Sequence, residues 1–282
     1  MDPRDFLTTL AVTLPMLALA TLIELALPMF RRPASQRGRV ATNLKLTGMT
    51  LVWNGLLTWA SAGVALALSV DGPGLMAELG IPFVVQVMGG FVVLDLSFGY
   101  LAHRAMHASP ILWRAHRIHH SDPFVDATTT FRNHPIEGLW RFLWIIVPTW
   151  ILGVPAEAVA LQRLLTAING VLEHSNIRVW PSLDRALSWF WVTPSMHKVH
   201  HSRERIETDS NYGNILSVYD RIFRTFTSTE RARWVTYGLD GIDPIEAESL
   251  SGLLAMPFRA PKPSSEPRAR SGPASYPFAS GR

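Results

Sequence analysis

Residues 81–120 read IPFVVQVMGGFVVLDLSFGYLAHRAMHASPILWRAHRIHH. An apolar run over 81–102 passes directly into His103-x-x-x-His107, and His116-x-x-His119-His120 follows. A third cluster, His197-x-x-His200-His201, lies further on, with His134 and His174 standing alone between. All 10 histidines of the chain fall between positions 103 and 201. Imidazole is the commonest metal-binding side chain. Such a concentration at the end of a membrane-length apolar run predicts a metal centre built almost wholly from nitrogen ligands at a membrane boundary.

Three further apolar stretches surround this one. Residues 6–30 carry a single acidic residue, Glu24, and are long enough to cross a hydrocarbon core. They lack a basic leader and a small-residue cleavage site, so the expectation is a retained anchor. A second stretch covers about 46–70. The fourth, 138–173, is broken at Gly153-Val154-Pro155 and predicts a helical hairpin that enters the membrane and returns. Between the first two lie Arg31, Arg32, Arg37, Arg39 and Lys45, whereas 71–80, opening Asp71-Gly72-Pro73-Gly74, has no Lys or Arg. Short basic loops stay cytoplasmic. The N-terminus is then outside, and His103 and His174 both emerge on the cytoplasmic side. The expected fold is all-α: a four-helix transmembrane anchor, including a broken helical hairpin, capped by a cytoplasmic, helical, histidine-rich catalytic domain. Its parts are an N-terminal transmembrane hairpin (1–80), the catalytic domain with two further membrane segments (81–230) and a C-terminal extension (231–282). After the polar residues 202–214, one amphipathic stretch covers Ile215–Phe226. Residues from about 257 are rich in Pro, Ser and Arg and read as a disordered tail.

The chain has 282 residues, a net charge of +4 and no cysteine. The missing thiols exclude disulfides, thiolate zinc sites, iron–sulfur clusters and CxxCH haem attachment. Electrons for a redox metal must therefore come from another protein. The basic residues sit in loops and in the tail without a recognition module, which argues for membrane orientation and headgroups over nucleic acid.

Positions i, i+3 and i+4 share one face of a helix. Each cluster thus presents a stripe of imidazoles, and three stripes offer more nitrogens than one ion accepts. That is the argument for a dinuclear centre. There is no His-Glu-x-x-His and no Glu-x-x-His, which disfavours a zincin protease and a carboxylate di-iron bundle. Imidazole suits Zn, Cu, Fe and Ni, so ligand type alone does not name the metal. A non-catalytic metal-binding protein and a zinc hydrolase remain alternatives at this level.

The order and spacing of these motifs resemble the fatty acid hydroxylase/sterol desaturase superfamily of integral-membrane non-haem di-iron enzymes. The resemblance runs from about Asp95 to Phe226. It covers the three clusters, Arg132-x-His134-Pro135-x-Glu137, His174-Ser175-Asn176, Thr193-Pro194, Asp209-Ser210-Asn211-Tyr212-Gly213 and Tyr219-Asp220-Arg221-Ile222-Phe223. It implies two iron ions, O2 as co-substrate, an external electron donor and hydroxylation or desaturation of a lipid C–H bond. The implied ligands are His103, His107, His116, His119, His120, His134, His174, His197, His200 and His201. Some relatives carry one more histidine where this chain has Gly170, and His134 is expected to supply that nitrogen. Tyr219 replaces a tryptophan usual in relatives.

An all-imidazole shell is neutral, so nearby carboxylates should offset the metal charge and fix the ring tautomers. Asp95, Glu137 and Asp209 are the chosen candidates, with Asp122, Asp126 and Glu173 behind them. Asp95 lies inside a membrane segment, where an ionisable group is costly without a purpose. Arg104, Arg114, Arg117, Lys198, Arg203 and Arg205 surround the clusters and would meet either lipid headgroups or an acidic donor, a ferredoxin or a cytochrome b5-like protein. The chain ends without a dilysine or KDEL-like signal, so a bacterial inner membrane is expected over the endoplasmic reticulum.

Overall fold

A computed structural model describes residues 3–34, 37–68, 74–242 and 244–259. Among these the chain is helical, and its only β pairings are isolated bridges, Pro28 with Ile177 and Trp191 with Leu216. Helix α1 covers Pro3–Ala26 and α2 covers Arg37–Leu68. A rod, α3, runs Phe83–Ala108. The helices Pro110–His120 (α4), Pro135–Leu152 (α5), Ala156–His174 (α6), Pro181–Leu187 (α7) and Pro194–His200 (α8) follow, and a short turn, Val218–Ile222 (α9), comes later.

Among the described residues two helices are long and apolar enough to cross a membrane, Phe6–Ala26 and Phe83–Ala108. Four were expected. The predicted hairpin is present as two helices, α5 and α6, which meet at Gly153. Gly153 has φ +64, and a Cβ there would stand 2.4 Å from the Gly74 Cα, so the close approach and the left-handed turn both require glycine. The expected loop 71–80 lies partly outside the described residues, which omit 69–73.

The basic loop is shorter than expected. Helix α2 begins at Arg37, and Arg39 points inward, 1 % exposed. Its guanidinium pairs with Asp122 at 3.2 Å and with Asp126, and donates to the Phe124 carbonyl at 2.8 Å. Arg32 pairs with Glu24. Two of the five positive charges used to orient the chain thus serve internal pairs. Glu24 is no stray charge either. Its Oε1 accepts the backbone N–H groups of Ala127 (2.8 Å) and Asn176 (2.7 Å), pinning the end of α1 to the two loops behind the histidines.

The rod α3 changes winding at Asp95–Leu101, a π-helical segment between two α-helical stretches. Such insertions gather at functional sites because they leave backbone groups free to bond elsewhere. The Ser97 hydroxyl here donates to the Trp144 carbonyl at 2.7 Å, fastening α3 to α5. Leu94, Ile145, Val154, Ala158 and Val159 fill the space among α3, α5 and α6.

The amphipathic stretch expected over 215–226 contracts to the five-residue α9. The first residues of the expected tail, 257–259, are instead part of the folded chain. Met256–Phe258 forms a 3-10 turn whose Met256 packs with Leu46, Ile118 and Leu253. Residues 260–282 lie outside the described residues. The segment before them is clipped on by side chains: Arg132 donates to the Ala247 carbonyl at 2.6 Å, Arg117 to that of Met256 at 2.5 Å, and Thr42 to that of Glu248 at 2.6 Å.

Candidate metal centre

Nine of the ten histidines converge into two buried groups. One contains His103, His107, His116, His120 and His200, and the other His119, His174, His197 and His201. Neither HxxHH motif serves a single group. On α4, His116 and His120 stand at i, i+4 and face the first group, while His119 turns to the second. The third cluster is the converse: His197 and His201 serve the second group and His200 the first. Two helix ends therefore each feed both groups, and the groups lie side by side. The rings of His120 and His201, one from each, stack with centroids 4.6 Å apart.

Hydrogen bonding does not account for every one of these close nitrogen pairs. His103 Nδ1 lies 2.8 Å from the Tyr212 carbonyl and His200 Nδ1 lies 2.7 Å from that of Ser210. A carbonyl only accepts, so each Nδ1 carries the proton and each neutral ring leaves Nε2 bare. Those two bare Nε2 atoms face each other at 3.0 Å. His174 likewise donates through Nδ1 to the Gly170 carbonyl at 2.7 Å, which leaves its Nε2 bare and 3.0 Å from those of His119 and His197. Converging lone pairs repel unless a cation sits among them. Nitrogens roughly 2.1 Å from a metal stand about 3.0 Å apart at right angles and about 3.4 Å at the tetrahedral angle. The observed neighbours, 3.0 to 3.2 Å apart, are spaced as nitrogens around a shared cation would be. The donor set fits two ions.

Burial holds His116, His119, His120, His197, His200 and His201 well below the ordinary imidazole range, and neighbouring histidines push in the same direction. They are neutral and ready to ligate at neutral pH. The loop that supplies the Ser210 and Tyr212 carbonyls is held from below. Asp220 accepts from the N–H groups of Tyr212 (2.8 Å) and Gly213 (2.9 Å), and its own carboxyl is pushed up to about 6 by burial. Asn211, at φ 54, spans the same loop with side-chain bonds to Met196 and Thr227.

The carboxylates sort into different places. Glu137 Oε2 lies 3.0 Å from His116 Nδ1, and Arg141 holds its other oxygen at 2.9 Å. Asp209 Oδ1 lies 3.3 Å from His107 Nδ1, with Arg205 on Oδ2 at 2.9 Å. Glu173 stands beside the second group and accepts from Asn214 at 3.0 Å. Asp95, chosen from the sequence, meets no histidine. It accepts the Leu216 N–H at 3.0 Å and so anchors the loop after the third cluster to α3. Asp122 and Asp126 are taken up by Arg39.

His134 stays outside both groups. Its Nδ1 accepts the Ile136 N–H at 3.1 Å, capping α5, whose first helical residue is Pro135. Having no side-chain partner at Gly170, the second group closes with four rings. The proposed docking residues also separate. Lys198 is fully buried, donating to the carbonyls of Val125 (2.6 Å) and His174 (2.5 Å), and Arg117 is spent on the C-terminal segment. Arg203 pairs with Asp240 and Arg205 with Asp209, yet both stay exposed, as does Arg104, while Arg114 is half-buried. Sequence reading missed the Ser210, Tyr212 and Gly170 carbonyls, because a backbone acceptor leaves no mark on residue type.

A cavity opens on the centre. His103, His119, His174 and His197 line it together with apolar residues such as Phe6, Leu10, Leu51 and Phe142 and with polar ones that include Asn54, Arg141, Gln162 and Arg163.

Residues 87–225 match the family model described as Fatty acid hydroxylase. Through this stretch the chain carries the sequence pattern of the fatty acid hydroxylase/sterol desaturase superfamily. Ornithine lipid hydroxylase OlsE of Rhizobium tropici is 32 % identical over 179 residues, covering 63 % of this chain and 51 % of that protein. The alkylglycerol monooxygenases of Caenorhabditis elegans and Homo sapiens are 28 % and 31 % identical, over 50 % and 52 % of this chain and 27 % and 32 % of their own lengths. The chain thus spans about half of the first relative and about a third of the others. No solved structure matches it.

Proposed function

We propose that this protein is an integral-membrane di-iron lipid mono-oxygenase that converts a C–H bond to an alcohol: RH + O2 + 2 e⁻ + 2 H⁺ gives ROH + H2O. The observation that carries the reading is the cavity in which metal-ligating nitrogens and an apolar lining share one space. An apolar chain entering it is delivered to both histidine groups. Hydroxylation is preferred to desaturation because the similar proteins are named as a hydroxylase and as monooxygenases acting on polar lipids.

Iron at the two groups would supply the reaction with O2, which imidazole itself cannot perform. The chain's own residues do the rest. Glu137 and Asp209 accept the N–H of His116 and His107, which fixes the tautomers and strengthens the opposite nitrogens as donors. The carbonyls of Gly170, Ser210 and Tyr212 do the same for His174, His200 and His103. The apolar cavity wall orients the chain and excludes water from the reacting carbon. Electrons enter from a separate one-electron carrier, since the chain has no cysteine to hold a redox cluster. The centre is placed on the cytoplasmic side of a bacterial inner membrane, with α5 and α6 as a hairpin dipping into the bilayer beside α1–α3.

The test is iron reconstitution followed by reduction and exposure to isotopically heavy O2 in the presence of total membrane lipid. A lipid alcohol carrying one heavy oxygen is expected. Iron-loaded protein that consumes no O2 and labels no lipid would overturn the proposal.

A further inference from the structure

Away from the histidines, three side chains of the cavity lining keep a buried polar atom without a protein partner: Trp53, Gln162 and Asn214. Gln162 lies in α6, its side chain is 0 % exposed, and it lines the cavity together with Thr166. Its Nε2 donates to the Thr166 hydroxyl at 2.9 Å, while its Oε1 is buried without a partner. Leaving a buried acceptor unpaired costs about 1–3 kcal/mol. The wall beside it could have been apolar at no such cost, as Ala158, Val159 and Ala167 on the same helix are. A buried polar group left unsatisfied calls for an explanation, and a missing ligand is one.

Its position along the helix matters. Gln162 is twelve residues before His174, roughly 18 Å at the helical rise. The cavity wall on α6 is continuous between them, through Thr166, Ala167 and Gly170. The unsatisfied amide therefore stands at the end of the cavity remote from the metal centre, where an apolar chain lying against α6 would finish.

We propose that Gln162 is a hydroxyl-binding subsite, so that the lipid accepted by this cavity carries a hydroxyl group remote from the carbon presented to the histidines. A hydroxyl both donates and accepts, and so satisfies either end of the amide. It needs no counter-charge, in keeping with a neutral partner in Gln162. A hydrogen bond of this kind contributes about 0.5–1.5 kcal/mol net, or roughly a two- to twelve-fold preference for the hydroxylated chain. The substrate assignment rests on the lipid mono-oxygenase reading, but the binding site can be tested without turnover.

The metal-free full-length protein, in nanodiscs, is titrated with palmitic acid and with two counterparts hydroxylated at the chain end or at mid-chain. Binding is read by intrinsic tryptophan fluorescence and by the thermal unfolding midpoint. Wild type is expected to bind one hydroxylated probe several-fold more tightly than palmitic acid. Gln162→Met, similar in volume, is expected to abolish that preference while keeping the affinity for palmitic acid and the unliganded midpoint. Gln162→Asn, with the amide withdrawn by one methylene, is expected to weaken the preference without reversing it. Equal affinity of wild type for all three probes, or a preference that survives in Gln162→Met, would overturn the subsite. A preference that behaves as expected in a protein that oxidises no lipid would keep the subsite and sink the mono-oxygenase reading instead.

Discussion

His103 and His200 are 97 positions apart, yet their Nε2 atoms stand 3.0 Å from each other, each ring held from behind by a backbone carbonyl. The relationship shows how this centre is made. One helix end brings the ring, a loop fixes its proton on Nδ1, and the bare nitrogen is turned toward others of its kind. Four consequences can be measured.

The two histidine groups should lose metal separately, and His134 should not matter to either. His200→Ala removes a nitrogen from the first group only, so bound metal should fall by about half and turnover should vanish. His134→Ala should keep the full metal content and cost about 1 kcal/mol through loss of the α5 cap. Metal analysis and thermal unfolding of the two variants decide this. Loss of metal from His134→Ala would restore it as a ligand.

The groups should also differ in how tightly they hold metal. In the first, His103, His107, His116 and His200 each have an acceptor on Nδ1, whereas in the second only His174 does. The Nδ1 atoms of His119, His197 and His201 are buried without a protein partner. Partners of this kind are worth roughly 10–100-fold in metal affinity. A chelator titration should be biphasic, with the second group emptied first. Glu137→Gln should narrow the gap by loosening the first. A single phase in wild type would refute the asymmetry.

The Arg39 cluster should be a major stabilising feature of the fold. Arg39→Met leaves Asp122 and Asp126 buried together without their cation, and breaking such a pair costs about 3–5 kcal/mol. The unfolding midpoint of the detergent-solubilised protein should drop accordingly. The double variant Arg39→Met/Asp122→Asn should recover part of the loss, because one of the two stranded charges is removed. A drop in Arg39→Met equivalent to less than about 1 kcal/mol would show that solvent reaches the pair.

Acid should destabilise the metal-free protein. His116, His119, His120, His197, His200 and His201 have folded-state pKa values well below the ordinary imidazole value, so the unfolded chain binds more protons than the folded one. Their contribution is present above about pH 6.5 and is lost as pH falls toward the depressed values. The midpoint should fall from about pH 7 to about pH 5, and metal affinity should fall with it as protons compete for the same lone pairs. A midpoint that is flat across that range would mean the rings are solvated.

Much of this was legible from residue order. The histidine spacings, the uncharged runs and the Gly153-Val154-Pro155 break suffice to expect a helical chain with converging imidazole nitrogens, because ligand chemistry and helical periodicity are local properties. Glu137 and Asp209 could be named as neighbours of the rings for the same reason: an imidazole N–H wants an acceptor, and few carboxylates lie near the clusters. Asp95 was mistaken because a buried carboxylate binds whatever donor the fold brings, here a backbone N–H, and sequence cannot distinguish that donor from an imidazole.

Tertiary structure alone decided how the stripes are divided between the two groups, that His134 caps a helix, and that Arg39 and Lys198 point inward. Each of these depends on the direction in which a side chain leaves its helix relative to elements far away in sequence. Composition pointed to a metal-binding site. Which nitrogens stand together was settled by the packing of α3, α4, α6 and α8, since only converging helix ends bring lone pairs within 3.2 Å of one another.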